Sequence, residues 1–268
     1  MRRLLTFQCA GAALGGSLDE APGRTGLLLV TGGTQTRIGS HRMFERLASA
    51  LASSGYPCFR YDRRGVGDSE GKDPGWRGSG PDLEAAAAAF RGEAKKVERV
   101  IGFGLCDGAS TLALFGAGAG LQGAILVNPW FVESETDAPP PAAIRHHYRK
   151  RLLSAEGWKK LLGGSISYRK LFRGIGRMAR SQPSTLSDEI ADSLESGGFP
   201  IALVLAGGDG TAVAAGSIWA SKRFERIRAA SAAPYRIESD SHTFARAGDD
   251  KALLQACQTA LNALSRRR

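Results

Sequence analysis

The chain is poor in the residues that most often bind metals or form disulfides. It has four cysteines, four histidines and three methionines in 268 residues. The cysteines, Cys9, Cys58, Cys106 and Cys257, stand far apart and form none of the paired spacings of a zinc site, so no metal or other cofactor is expected. Free thiols in a cytoplasmic protein are expected instead of a disulfide framework. No apolar run reaches the roughly 18 residues that a membrane-crossing helix needs. Met1-Arg2-Arg3 followed by Leu4-Leu5 has the opening of a signal peptide. Gln8 breaks that run early, and the segment reads as two short strands around a turn, with cytoplasmic residence expected.

Acidic residues are scarce in one place only. Between Arg145 and Arg180 there are eleven Lys/Arg and a single acid, Glu156. The rest of the chain carries 25 residues of each sign, so this segment holds the whole net charge of +10. No nucleic-acid motif accompanies it, and no nucleic-acid partner is expected. Its bland reading is a solvated helical face. The sharper expectation is attraction for an anionic substrate or for a membrane surface.

Elsewhere apolar runs alternate with helical patterns. Gly26–Val30 reads as a buried strand, and Met43, Phe44, Leu47 and Leu51 form one helical face behind a cap at Ser40. Further strands are expected at Tyr56–Tyr61, Arg99–Leu105, Gly123–Val127, Pro200–Ala206 and Pro234–Glu238. Helices are expected from Asp82, over Asp107–Gly118, over Thr211–Arg228 and over Asp249–Ser265. This alternation predicts an α/β fold with a mainly parallel sheet covered on both faces and an antiparallel hairpin at its edge. The interval 132–199 is too long for a simple connection. It is expected to be an inserted basic helical cap over the carboxyl end of the sheet, with 1–131 and 200–268 forming the core.

The chemistry centres on Gly104-Leu105-Cys106-Asp107-Gly108, which follows a strand and opens a helix. This is a Gly-x-nucleophile-x-Gly elbow with cysteine in the place of serine. It sets the nucleophile at a helix N-terminus, where the dipole favours an anion. The base is expected to be His242, just after the last strand. The acid is expected to be Asp209, at the end of an earlier strand, with Asp240 as its rival. The order nucleophile, acid, histidine is that of α/β-hydrolases. The oxyanion hole is assigned to the backbone N–H groups of Asp107 and of Thr34 in Gly32-Gly33-Thr34. Gly33 and His41 are candidate substrate contacts. His146 and His147, adjacent and without acidic neighbours, read as solvated residues and not as metal ligands.

These residues resemble the α/β-hydrolase superfamily over essentially the full chain. Phe59-Arg60-Tyr61-Asp62-Arg63-Arg64-Gly65-Val66-Gly67-Asp68-Ser69 is similar to its strand-and-loop pattern D-x-R-G-x-G-x-S. Gly32-Gly33-Thr34-Gln35, Gly39-Ser40-His41-Arg42, Gly104–Ser110 and Asn128-Pro129-Trp130 more closely resemble the exosortase A system-associated hydrolase 1 family. Its members are named for genomic neighbourhood, so the resemblance implies no substrate. One departure stands out: Gly32-Gly33 occupies the place of the superfamily's usual His-Gly. The elbow, base and acid together lead to the expectation of an acyl hydrolase acting on a small-molecule or carrier-bound ester or thioester through a Cys106 acyl-enzyme. Two alternatives remain open, an acyltransferase using the same intermediate and a binding protein that has kept the fold.

Overall fold

A computed structural model describes residues 1–132 and 185–266. The apolar runs form a single eight-stranded sheet in the order β1-β2-β4-β3-β5-β6-β7-β8. Its strands are β1 (Arg2–Cys9), β2 (Ala12–Asp19), β3 (Thr25–Val30), β4 (Cys58–Tyr61), β5 (Arg99–Leu105), β6 (Ala124–Val127), β7 (Ile201–Ala206) and β8 (Tyr235–Ile237). β1 and β2 form an antiparallel hairpin, and β2 pairs antiparallel with β4. All later pairings are parallel. The central strands β4, β6 and β7 are buried at every position, and β3 and β5 at all but the first, as expected of a sheet covered on both faces.

Helices α1 (Met43–Ser53), α2 (Gly80–Glu93), α3 (Asp107–Phe115), α4 (Thr185–Ser196), α5 (Gly210–Trp219), α6 (Glu225–Ala229) and α7 (Asp249–Ser265) complete the described residues. α1 packs on α7, while α2 and α4 flank α3. The apolar stripe read from the sequence is the buried face of α1: Met43, Phe44, Leu47 and Leu51. Ser40 does not cap that helix; it opens a short 3-10 turn, and Arg42, at φ 64°, takes the cap position without a side-chain bond.

The helix expected over Thr211–Arg228 is broken after Trp219, and a 3-10 turn at Lys222–Phe224 separates α5 from α6. Trp219, Phe224 and Ile227 are all buried, and a five-residue step from Trp219 to Phe224 does not keep one helical face. The break turns Phe224 inward, where it stacks on Phe131 at 5.5 Å and meets Trp219 at 6.1 Å.

Of the interval assigned to a cap, 133–184 lies outside the described residues, including His146, His147 and the whole basic segment. Thr185–Ser196, which the sequence placed in that cap, is helix α4. Its Leu186, Ile190 and Leu194 belong to the core, and Ser193 Oγ donates to the carbonyls of Ala113 and Leu114 on α3 at 3.0 Å each.

The D-x-R-G-x-G-x-S stretch folds the loop after β4. Ser69 Oγ donates to the Asp62 carbonyl at 2.6 Å, and Arg64 pairs with buried Asp82 on α2 at 2.9 Å. Asp62 itself is fully buried against Arg37. These contacts fix the backbone that carries Arg63, a residue that matters at the site.

Candidate active site

The site lies at the carboxyl ends of β3, β5, β6, β7 and β8. β5 runs into α3 through Cys106, whose backbone stands at φ 58°, ψ −124°. Few non-glycine residues adopt such a conformation without surrounding contacts that impose it. The flanking glycines make the turn feasible. A Cβ on Gly104 would lie 2.6 Å from the Gly108 carbonyl oxygen, and one on Gly108 would lie 2.5 Å from that of Val30. Asn128, which ends β6 beside the elbow strand, and Phe244, two residues past His242, also have positive φ.

His242 follows β8 and comes to the elbow. Its Nδ1 lies 3.0 Å from Asp209 Oδ2. The same oxygen accepts from the Ala212 N–H at 2.9 Å, so Asp209 both caps α5 and orients the imidazole. The Cys106 side chain lies close enough to act on the charge of this ring. Burial works against a charge there, but the bond to Asp209 and the influence of Asp209 and Cys106 outweigh it and push the His242 pKa up to about 10. Asp240, the rival acid, turns instead to the surface and pairs with Arg246 at 2.6 Å.

Asn128, at the end of β6, holds the histidine loop. Its Oδ1 accepts from the Ala206 N–H at 2.8 Å and its Nδ2 donates to the His242 carbonyl at 2.9 Å. The chain continues past the elbow there, as the Trp130 N–H donates to the Cys106 carbonyl at 3.2 Å.

The loop after β3 lies against the elbow. Asp107 Oδ1 accepts from the Gly33 N–H at 2.6 Å, and Arg63 Nη1 donates to the Gly33 carbonyl at 2.6 Å. Burial raises the Asp107 pKa against the opposing pull of the Gly33 N–H and of Arg63. Gly33 was expected to touch substrate; both its polar backbone groups are engaged inside the protein.

His41 also departs from expectation. Its Nε2 lies 2.8 Å from the Thr243 carbonyl and its Nδ1 lies 3.3 Å from Arg46 Nη2. A carbonyl only accepts and a guanidinium only donates, so Nε2 donates to Thr243 and Nδ1 accepts from Arg46. His41 supports the loop that carries His242, and its ring nitrogens have no free valence for a substrate.

Arg63, Asp73 and Asn128 are site residues that the sequence reading missed as such. Asn128 had a signal, because it ends the strand beside the elbow strand. Arg63 occupies a variable position of a recognised motif, and nothing in the sequence marks Asp73. Among the described residues no group of three or more His, Cys, Asp or Glu could hold a metal ion, and no helix is long and apolar enough to cross a membrane.

Comparison with known proteins then places the chain. The model of the alpha/beta hydrolase family matches residues 27–256. The chain belongs to this family. Solved structures give this hydrolase the same fold at low sequence identity. The esterase Pf2001 of Pyrococcus furiosus superposes with a TM-score of 0.65 at 12% identity, covering 98% of this chain and 90% of that one. Est1E of Butyrivibrio proteoclasticus, solved with ferulic acid, gives 0.64 at 14% identity, with 98% and 100% covered. A thioesterase domain from the curacin biosynthetic pathway gives 0.56 at 13% identity, with 96% and 98% covered. No curated protein sequence matches this hydrolase.

Proposed function

We propose that this hydrolase cleaves esters or thioesters through a cysteine acyl-enzyme, with Cys106 as nucleophile, His242 as base and Asp209 as orienting acid. The observation that carries the reading is Asp209 Oδ2 bonded to His242 Nδ1 at 3.0 Å, with the strained elbow residue Cys106 at the N-terminus of α3. In the mechanism, the Cys106 sulfur attacks the acyl carbon while His242 holds the thiol proton. The carbonyl oxygen becomes an oxyanion bound by the N–H groups of Asp107 and Thr34. Collapse breaks the bond to the leaving group, which takes the proton from His242. Water then attacks the thioester carbon and gives its proton to His242. The second collapse releases the acid, and the proton returns to sulfur. Fold likeness to esterases and a thioesterase domain supports this choice of substrate class. The narrower likeness to exosortase-associated hydrolases and a cytoplasmic site of action belong to the same proposal.

The test is a screen of p-nitrophenyl esters and acyl thioesters with the wild type and Cys106→Ala, followed by intact mass. Loss of a covalent nucleophile should cut turnover by several orders of magnitude. Undiminished turnover in a folded Cys106→Ala variant rules Cys106 out. Acyl transfer in preference to hydrolysis would show as product formed only when an alcohol or amine acceptor is added.

A further inference from the structure

Both polar ends of Gly33 are held, and so are groups on either side of it. The Gly32 carbonyl accepts from the Gln35 N–H at 3.3 Å, and Thr31 Oγ1 donates to the Gln35 carbonyl at 3.0 Å. The Gly33 N–H is taken by Asp107 Oδ1 at 2.6 Å and its carbonyl by Arg63 Nη1 at 2.6 Å. Arg63 is itself fixed by a two-pronged pair with Asp73, at 2.8 and 2.9 Å. The Thr34 N–H has no hydrogen-bond partner among the described residues. It shares a planar peptide with the Gly33 carbonyl, and the two groups point in opposite directions. Whatever fixes that carbonyl therefore aims that N–H.

We propose that Arg63 and Asp107 are positioning residues that clamp the Gly33 peptides and so aim the Thr34 N–H at the acyl oxygen bound over Cys106. This rests on the acyl-enzyme reading above. The glycine that stands where the superfamily usually has histidine fits the same device. A Cβ on Gly32 would lie 2.6 Å from the Leu105 carbonyl oxygen, 2.7 Å from Asp107 Oδ1 and 3.1 Å from Cys106 Cβ, so a side chain there would press on both the elbow backbone and the Asp107 carboxylate. Arg63 has a second task. A carboxylate beside a developing oxyanion repels it, and the guanidinium bound to the same glycine offsets that charge.

Two reactions of the same thiol separate this role from a general structural one. Acylation of Cys106 by p-nitrophenyl acetate passes through an oxyanion, whereas alkylation by iodoacetamide at a saturated carbon does not. Arg63→Gln and Asp107→Ala should slow acylation by about ten- to a hundredfold, somewhat less than the loss of a hole donor outright. Alkylation at the same pH should stay within about twofold, because it draws nothing from the hole. Arg63→Lys keeps the charge but not the fork that reaches Gly33 and Asp73 together, so it should remain slow. Asp107→Asn keeps an acceptor for the Gly33 N–H and should recover most of the loss seen in Asp107→Ala. Thermal midpoints identify any variant that fails to fold, and the Arg63 and Asp107 variants test the clamp independently. Acylation and alkylation falling together, or acylation unchanged in all variants, overturns the clamp. Absence of acylation in the wild type overturns the acyl-enzyme reading and the clamp with it.

Discussion

At the residue scale the site is governed by one carboxylate with two tasks. Asp209 caps α5 through the Ala212 N–H and holds His242 through the same oxygen. Asparagine is also a good cap, so Asp209→Asn should spare the helix while removing the charge that favours the imidazolium. The effect on stability depends on pH. His242 titrates at about 10 in the folded chain against an ordinary 6.5, so its contribution is fully present below about 6.5 and is lost as pH rises through about 10. The stability gap between wild type and Asp209→Asn, measured by urea denaturation, should therefore be widest near pH 6 and shrink toward pH 10. A gap that stays constant over that range contradicts the assignment. The elbow and the pairing of His242 with Asp209 were legible because each residue sits in a short turn at a strand end. The roles of Gly33, His41, Arg63 and Asp73 were not. They depend on hydrogen bonds between loops far apart in sequence, and a residue's type does not disclose whether its polar groups are already engaged.

At the element scale hydrophobic period and turn residues carried most of the fold. Long uniform runs such as Ile201–Ala206 and the 17-residue α7 stand where the pattern put them. The misreadings fall where packing overrides local pattern. The chain breaks after Trp219 to bury Phe224, which helical periodicity alone would not show. The start of α1 is set by the left-handed Arg42 and not by the Ser40 hydroxyl. α4 is the clearest case, because its sequence neighbours are basic and polar while its own Leu186, Ile190 and Leu194 face α3 and the core. Ile190 is wholly buried, so Ile190→Ala should lower unfolding free energy by about 2–5 kcal/mol. Equilibrium denaturation checks this, and a loss below about 0.5 kcal/mol, the range of surface substitutions, would show that α4 is only loosely docked.

At the scale of the whole molecule, the net charge belongs to one stretch of sequence. Trp130, whose N–H donates to the Cys106 carbonyl, stands two residues before the end of the first described stretch, and the net charge of +10 lies in the 145–180 stretch that follows in sequence. A positive rim near the mouth would concentrate anionic substrates, and salt screens such attraction over about 8 Å at physiological ionic strength. kcat/KM for an anionic thioester should then fall with added salt, while that for a neutral ester of the same acyl group should change little. Lys159, Lys160, Arg169 and Lys170 replaced by Glu should abolish the difference; equal salt dependence in the wild type removes the steering idea. The sheet order has a further consequence. The residues around Cys106 come from the ends of β3, β5, β6, β7 and β8, so its environment exists only when strands from both ends of the chain have joined. Cys9, Cys58 and Cys257 are buried while Cys106 is partly open, which reverses on unfolding the privilege of a single thiol. The protein thus carries an internal gauge of its own integrity: one sulfur answers a gentle electrophile in the native molecule, and all four answer once the chain has come apart.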